Sequence, residues 1–140
     1  MQLEPITSDQ QSTFEQLLSA VGLGNEGLGT AQAYGCWQNG NLLACGALEV
    51  YGEVGLLRSV AVTPDHQNQG WGAALLVALE QQARQQGLQT LYLLTTSAAK
   101  FFAAHGYQPI ERSEADERLH ASAQWGSICS SADLMVKQFV

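Results

Sequence analysis

The sequence predicts a mixed α/β fold of the α+β kind, in which a mostly antiparallel central sheet is flanked by helices. Three observations carry this. Residues 31–62 contain three consecutive strand-like runs separated by two short turn signals, the pattern of an antiparallel meander. At Thr63-Pro64-Asp65 the periodicity changes, and a long helical stretch follows from Gly70 to Gln86. A mostly apolar run, Leu88 to Thr95, then reads as a buried strand. The chain has 140 residues, which suits one domain over 1–140 built around one core.

The elements follow in order. Residues 1–6 read as a short strand anchored by Leu3 and Ile6. Thr7-Ser8-Asp9 can cap a helix, because a side-chain oxygen there accepts an N–H group of the first turn. Phe14, Leu17, Leu18 and Val21 recur at helical spacing, and Gly22 ends the helix. The segment Gly22 to Gly29 holds four glycines and reads as a mobile connection with room for one helical turn. Ala31 to Trp37 is a strand, Asn39-Gly40 a two-residue hairpin turn, and Leu42 to Val50 the returning strand. Tyr51-Gly52-Glu53 turns the chain again into Val54 to Val62. The long helix presents Ala74, Leu75, Val77, Ala78, Leu79 and Ala83 as its apolar side, and Gly87 stops it. Ser97 is expected to cap a short helix through Phe101, Phe102 and Ala104. Gly106-Tyr107 leads to a strand near Ile110. Glu114 to about Trp125 reads as helix or irregular structure, and Ala132 to Val140 as a closing strand.

Composition narrows the function classes. Six Lys and Arg stand against thirteen Asp and Glu, for a net charge of −7. Such a surface repels nucleic acid and anionic membrane at long range. No stretch approaches the ~18 uninterrupted apolar residues of a membrane span. The start, Met1-Gln2-Leu3-Glu4, lacks the features of a signal peptide, so a cytoplasmic location is expected. Cys36, Cys45 and Cys129 match neither a disulfide framework nor a zinc motif and read as small apolar core residues. His66, His105 and His120 lack metal-ligand spacing and read as solvent-exposed; no metal is expected.

The informative segment is the passage from Val60-Ala61-Val62 through Thr63-Pro64-Asp65-His66 to Gln67-Asn68-Gln69-Gly70-Trp71-Gly72-Ala73. It is a strand, a polar loop, a glycine pair and a long helix. The first N–H groups of a helix have no partner within it, and its dipole places partial positive charge at the same end. A phosphate fits there, and glycine lets the backbone approach it and adopt special φ values. A net negative protein can still bind an anion in this way, because distant carboxylates are screened beyond ~10 Å. Two competing motifs fail. A dinucleotide-binding turn needs a third glycine where Leu75 stands, and an acidic residue near Gln89 to Thr96. A P-loop needs Gly-Lys-Ser/Thr, and no lysine precedes Lys100.

Gln67-x-x-Gly70-x-Gly72 after Val60-Ala61-Val62 resembles the Q/R-x-x-G-x-G/A signature of the GNAT family of N-acetyltransferases. Ala99-Lys100-Phe101-Phe102-Ala103-Ala104-His105-Gly106-Tyr107 resembles that family's A-x-x-F-Y-x-x-x-G-F/Y segment, and the element order fits along the whole chain. The resemblance implies acetyl-CoA as co-substrate, a sheet splayed between Val54–Val62 and Leu91–Thr96, and direct attack of a free amine on the acetyl carbonyl. Val60 and Val62 would then bond the pantetheine arm, with Ala61 between them. The N–H groups of Gln67, Asn68, Gln69, Gly70, Trp71, Gly72 and Ala73 would cradle the pyrophosphate, and Phe102 would line the cofactor site. Thr95-Thr96, Phe101-Phe102, Gly106-Tyr107, Arg112 and Cys129-Ser130-Ser131-Ala132 are similar to a subgroup associated with arsenic-resistance operons. That implies a small amino-acid-like amine as acceptor, an organoarsenical among the candidates.

The chain departs from the family at Phe102, where many members carry a tyrosine that protonates the leaving thiolate; phenylalanine cannot donate a proton. Thr95, Thr96 or Ser97 could offer a hydroxyl, and Tyr107 reads as a packed aromatic. Glu53 and Glu49 are candidates for accepting the amine proton, each with solvated turn carboxylate as the competing reading. Arg58, in a strand expected to be central, needs either an internal acid or an acceptor carboxylate. Trp71 either shields the cofactor or packs the helix start. The expected partner is a small-molecule amine, with no nucleic acid and no membrane; a homodimer stays open. Two other functions remain: a non-catalytic acyl-CoA-binding sensor, and a protein N-terminal or lysine acetyltransferase.

Overall fold

The computed structural model describes residues 1–127 and 132–139. Seven strands form one sheet in the order β1-β2-β3-β4-β5-β7-β6. They are β1 (Glu4–Pro5), β2 (Gln32–Gln38), β3 (Asn41–Tyr51), β4 (Val54–Val62), β5 (Thr90–Thr95), β6 (Gln108–Pro109) and β7 (Asp133–Gln138). All neighbours are antiparallel except β4 and β5. The helices are α1 (Gln11–Ala20), α2 (Trp71–Gln85), α3 (Ala99–Ala104) and α4 (Ala123–Ser127). This is the mixed, mostly antiparallel, helix-flanked architecture that the sequence predicts.

The meander forms where its turn residues require it. Asn39 and Gly40 adopt φ of 54° and 79°, both positive as a two-residue hairpin needs. Along β3, alternate residues go to opposite faces. Ala44 and Leu48 join α2 and β5 in one apolar cluster. Cys45 and Ala47 join Phe14, Leu17 and Leu18 of α1 in another. The face opposite α2 continues past β4 to Leu56, Tyr92 and Leu119, with Trp125 of α4 packed against them. The two layers therefore differ. α2 and α3 cover one face; α1 and the 117–125 segment cover the other.

Several expectations are corrected. The α2 stripe includes buried Leu76, whereas Val77 is 53% exposed. At about 100° per residue, Val77 falls off the arc shared by Leu75, Leu79 and Ala83. Ser97 does not cap α3, whose N-cap is Ala98. Thr95 Oγ1 instead accepts the Ser97 and Ala98 N–H groups, at 3.4 and 3.0 Å. Of the two readings left for Glu114 to Trp125, the broken one holds: a 3₁₀ turn ends at Glu114, another spans Glu117–Ala121, and α4 follows. His66 and His105 are half-buried rather than exposed, each ring held by a hydrogen bond of 2.8 Å to Thr63 Oγ1 and the Phe101 carbonyl respectively. Cys36 and Cys45 are free thiols in the sheet, as expected of core residues. The proposed Cys129-Ser130-Ser131 signature lies outside the described residues.

One feature of β4 has no sequence signature. The β3–β4 register passes from Cys45↔Ala61 to Ala47↔Arg58. Gly46 alone therefore faces both Ser59 and Val60, which makes a bulge on β4. Ser59 takes the left-handed conformation, φ 60°. Opposite it, a Cβ on Gly46 would lie 2.4 Å from Leu79, so α2 packs directly onto the bulged region. The bulge bends β4 at the point where it leaves β5.

Candidate active site

The β4–β5 pairing covers only Val54–Leu57 against Thr90–Leu93. Beyond Leu57 the two strands are unpaired, which opens a gap between the second half of β4 and the end of β5. Thr63 N–H donates to the Leu43 carbonyl at 2.9 Å. Strand alternation then turns the peptide groups of Ala61 toward β3 and those of Val60 and Val62 toward the gap. The Val62 carbonyl is already used, because Gln67 Nε2 donates to it at 3.1 Å. The Gln67 side chain thus folds the loop back onto β4, and Val62 keeps its N–H for the gap.

The loop then climbs through a 3₁₀ turn at Pro64–His66 to the mouth of α2. Asn68 has φ 65° and Gly70, the N-cap, φ 86°. Among the described residues, no side chain caps this helix. The first-turn N–H groups of Trp71, Gly72 and Ala73 therefore have no intrahelical acceptor and face outward with the positive end of the dipole. A Cβ built on Gly70 meets nothing within 4 Å, so the space above the mouth is open. Gly72 differs from the expectation. It is helical, and its Cβ would make only an ordinary 3.5 Å contact with Phe101. Trp71 is half-buried at the helix start. The open mouth and its unused donors fit a diphosphate, and the gap beside β4 fits an extended arm.

Phe102 is 6% exposed and lies in the α2-side core, edge-on to Phe101 and Tyr107. Tyr107 is packed as expected, and its hydroxyl donates to Glu80 at 2.8 Å. Lys137 closes the same group, with Nζ 3.0 Å from Glu80 Oε1 and 2.9 Å from the His105 carbonyl. This brace ties α2 to β7 and to the end of α3.

On the opposite face Arg58 is 3% exposed and Glu49 2%. Register makes them diagonal neighbours, since Arg58 faces Ala47 and Glu49 faces Leu56. Arg58 Nη1 lies 2.9 Å from Glu49 Oε2 and also donates to the Glu26 carbonyl in the α1–β2 loop. Tyr51 donates to Glu49 Oε1. Burial first, then Glu49, pushes the Tyr51 phenol up to about 12. The structure therefore brings Arg58, Glu49 and Tyr51 together below the gap. Glu53 is apart from them, exposed in the turn at the other end of β4 from Val62. Its backbone carbonyl, not its carboxylate, is engaged, accepting from Gln89 N–H at 2.8 Å. Arg58 and Glu49 are nine residues apart in the chain, and their pairing depends on a strand register that a bulge alters. Among the described residues, no group of three His, Cys, Asp or Glu side chains could hold a metal.

Fold and site together define a protein with an uncapped helix mouth beside a split sheet. The chain belongs to the GNAT acetyltransferase family, whose domain model, "Acetyltransferase (GNAT) domain", matches residues 29–109. The amino-acid acetyltransferase of Ectopseudomonas mendocina is 40% identical over 74 residues, which cover 51% of this chain and 17% of that protein. The amino-acid acetyltransferase of Pectobacterium carotovorum is 42% identical over 71 residues, 49% of this chain and 16% of that protein. The match thus spans about a sixth of these relatives. Among solved structures, N-acetylglutamate synthase from Neisseria gonorrhoeae, complexed with coenzyme A and N-acetyl-glutamate, superposes with a TM-score of 0.83 at 23% identity, covering 99% of this chain and 35% of that one. A GNAT family acetyltransferase from Elizabethkingia anophelis with acetyl-CoA bound gives a TM-score of 0.74 at 17% identity, covering 99% and 97%.

Proposed function

We propose that this chain is an acetyl-CoA-dependent N-acetyltransferase that acts on the primary amine of a small, amino-acid-like molecule by direct transfer. The observation that carries it is the uncapped α2 mouth at Gly70 placed at the end of a β4–β5 gap, in a chain of the GNAT family. Acetyl-CoA supplies the activated acetyl group. The chain's own residues hold and aim it. The amides of Trp71, Gly72 and Ala73 bind phosphate, Val60 and Val62 bond the extended arm, and Gln67 fixes the loop between them. Holding both reactants in line is the largest service a site of this kind renders. Phe102 has no proton to give, so the thiolate leaves unassisted or with a proton from water.

The acceptor class rests on two supports. Both curated relatives bear the name amino-acid acetyltransferase. The α1–β2 loop is also pinned down: Asn25 Nδ2 donates to Glu15 at 2.9 Å, Thr30 Oγ1 donates to the Gly27 carbonyl at 3.0 Å, and Leu28 is buried. A pinned loop favours a small acceptor over an extended peptide, which needs an open groove. The likeness to the arsenic-resistance subgroup places an amino-acid-like organoarsenical in the panel to be tried.

Coenzyme A should raise the Tm of the wild-type chain, and Gly70→Glu, which sets a carboxylate where the phosphate must lie, should abolish that rise. Thiol release from acetyl-CoA against amino acids and related amines then tests catalysis. Binding without turnover on any amine would leave an acyl-CoA sensor, the reading that Phe102 favours.

A further inference from the structure

Arg58 has five N–H donors, and their partners can be counted. Nε donates to Ser59 Oγ at 3.3 Å. Nη1 uses its two hydrogens on the Glu26 carbonyl and on Glu49 Oε2, the latter at 2.9 Å. Nη2 is fully buried and has no partner among the described residues. Two buried donors on a cation without an acceptor are costly, and such a group is retained where something completes it. A free nitrogen on a buried guanidinium is completed best by an anionic oxygen, and the carboxylate of an amino acid supplies one.

Placement agrees. Leu57 is the last β4 residue paired with β5, so Arg58 is the first residue beyond the branch point. A carboxylate held on its guanidinium would therefore lie beside the opening of the gap. The charge balance agrees as well. Glu49 offsets Arg58, but it also accepts the Tyr51 hydroxyl, which draws charge away from the pair. Both ends of the pair are buried, with 0% of the Arg58 side chain and 2% of the Glu49 side chain exposed. A Cβ on Gly27 would lie 3.6 Å from Nη1 and 2.8 Å from Ala123 Cβ, so the Glu26–Gly27 turn and α4 close over this spot.

We propose that Arg58 Nη2 binds the carboxylate of the acceptor, which makes the acceptor an amino acid rather than a plain amine, and that Glu49 and Tyr51 are positioning residues that hold the guanidinium. This rests on the acetyltransferase reading above. Entry of the carboxylate requires only the Glu26–Gly27 turn to lift off the guanidinium, while Asn25 and buried Leu28 keep the rest of the α1–β2 loop in place.

The test pairs each amino acid with its amide and its amino alcohol and measures thiol release from acetyl-CoA by the wild-type chain. The acid should exceed its neutral counterparts in kcat/KM by about 10- to 100-fold, the range for hydrogen bonds to a charged group. Arg58→Lys should raise KM for the acid by at least about tenfold and bring the acid-to-amide ratio near one, while the Tm rise with coenzyme A persists. Glu49→Gln should raise KM for the acid but keep kcat and the acidic limb of its pH profile. Equal wild-type rates for acid and amide would overturn the assignment and leave the acetyltransferase reading standing. Loss of kcat together with the acidic limb in Glu49→Gln would make Glu49 the general base and overturn its positioning role. Absence of turnover with every amine would end both readings. Should Arg58→Lys fail to fold, the wild-type comparison decides.

Discussion

The backbone at Gly70 and Ser59 determines what the site can hold. Gly70, at φ 86°, has open space where a Cβ would stand. Gly70→Ala therefore separates two effects. Stability should fall by only about 1 kcal/mol, the cost of a left-handed non-glycine residue, because nothing is struck. Affinity for coenzyme A should fall further, because the methyl group enters the space above the helix mouth. Chemical denaturation and calorimetric titration of the same variant measure the two; equal losses would place the ligand elsewhere. Ser59 meets the same backbone demand without glycine. Its hydroxyl accepts from Arg58 and its carbonyl from the Cys45 thiol, at 3.3 and 3.4 Å. The strain of the bulge is thus offset by partners, and residue identity alone gives no hint of it.

At the scale of elements, α2 serves two ends. Its mouth opens to free space above Gly70, and its flank is locked to β7 through Glu80, Tyr107 and Lys137. Glu80 is 7% exposed and would be left a buried carboxylate if Lys137 were removed. Lys137→Ala should therefore cost about 2 kcal/mol, less than the ~3–5 typical of a fully buried pair, because the Lys137 side chain is 24% exposed. Tyr107→Phe should cost less, since Lys137 still satisfies Glu80. Urea midpoints of the two variants check the order. The apolar spacing of α2 was legible in the sequence, but the brace was not: Glu80 and Lys137 are 57 residues apart. The short pieces were legible least. β6 and β1 have two residues each, and α3 six, so their ends are set by what they pack against.

For the whole molecule, burial of neutral acids sets the alkaline limit. Burial pushes the Cys45 thiol up from 9.0 to about 12 and the Tyr51 phenol from 10.0 to about 12. Tyr107 moves in the same direction, through burial and then Glu80. Each group binds its proton more tightly when folded. Stability from these groups is thus complete below about pH 9 and is lost as pH rises from there toward 12. Denaturant midpoints should fall across that window, and Tyr51→Phe should flatten the part of the fall above pH 10.

What local rules can carry was legible in the order of residues alone. Alternation in the meander, the positive φ of Asn39-Gly40, the helical stripe of Phe14, Leu17 and Leu18, and the glycine at the α2 mouth all depend on neighbours within a few positions. The glycine-led turn into α2 was readable for the same reason, since a helix start is a local object. Which side chains meet was settled by packing: Arg58 with Glu49 and Glu26, Glu80 with Lys137, and Glu53 with none of them. Those contacts join residues far apart in the chain, and their partners follow from strand register. A single bulge at Ser59 shifts that register by one residue, and no pattern of residue types announced it.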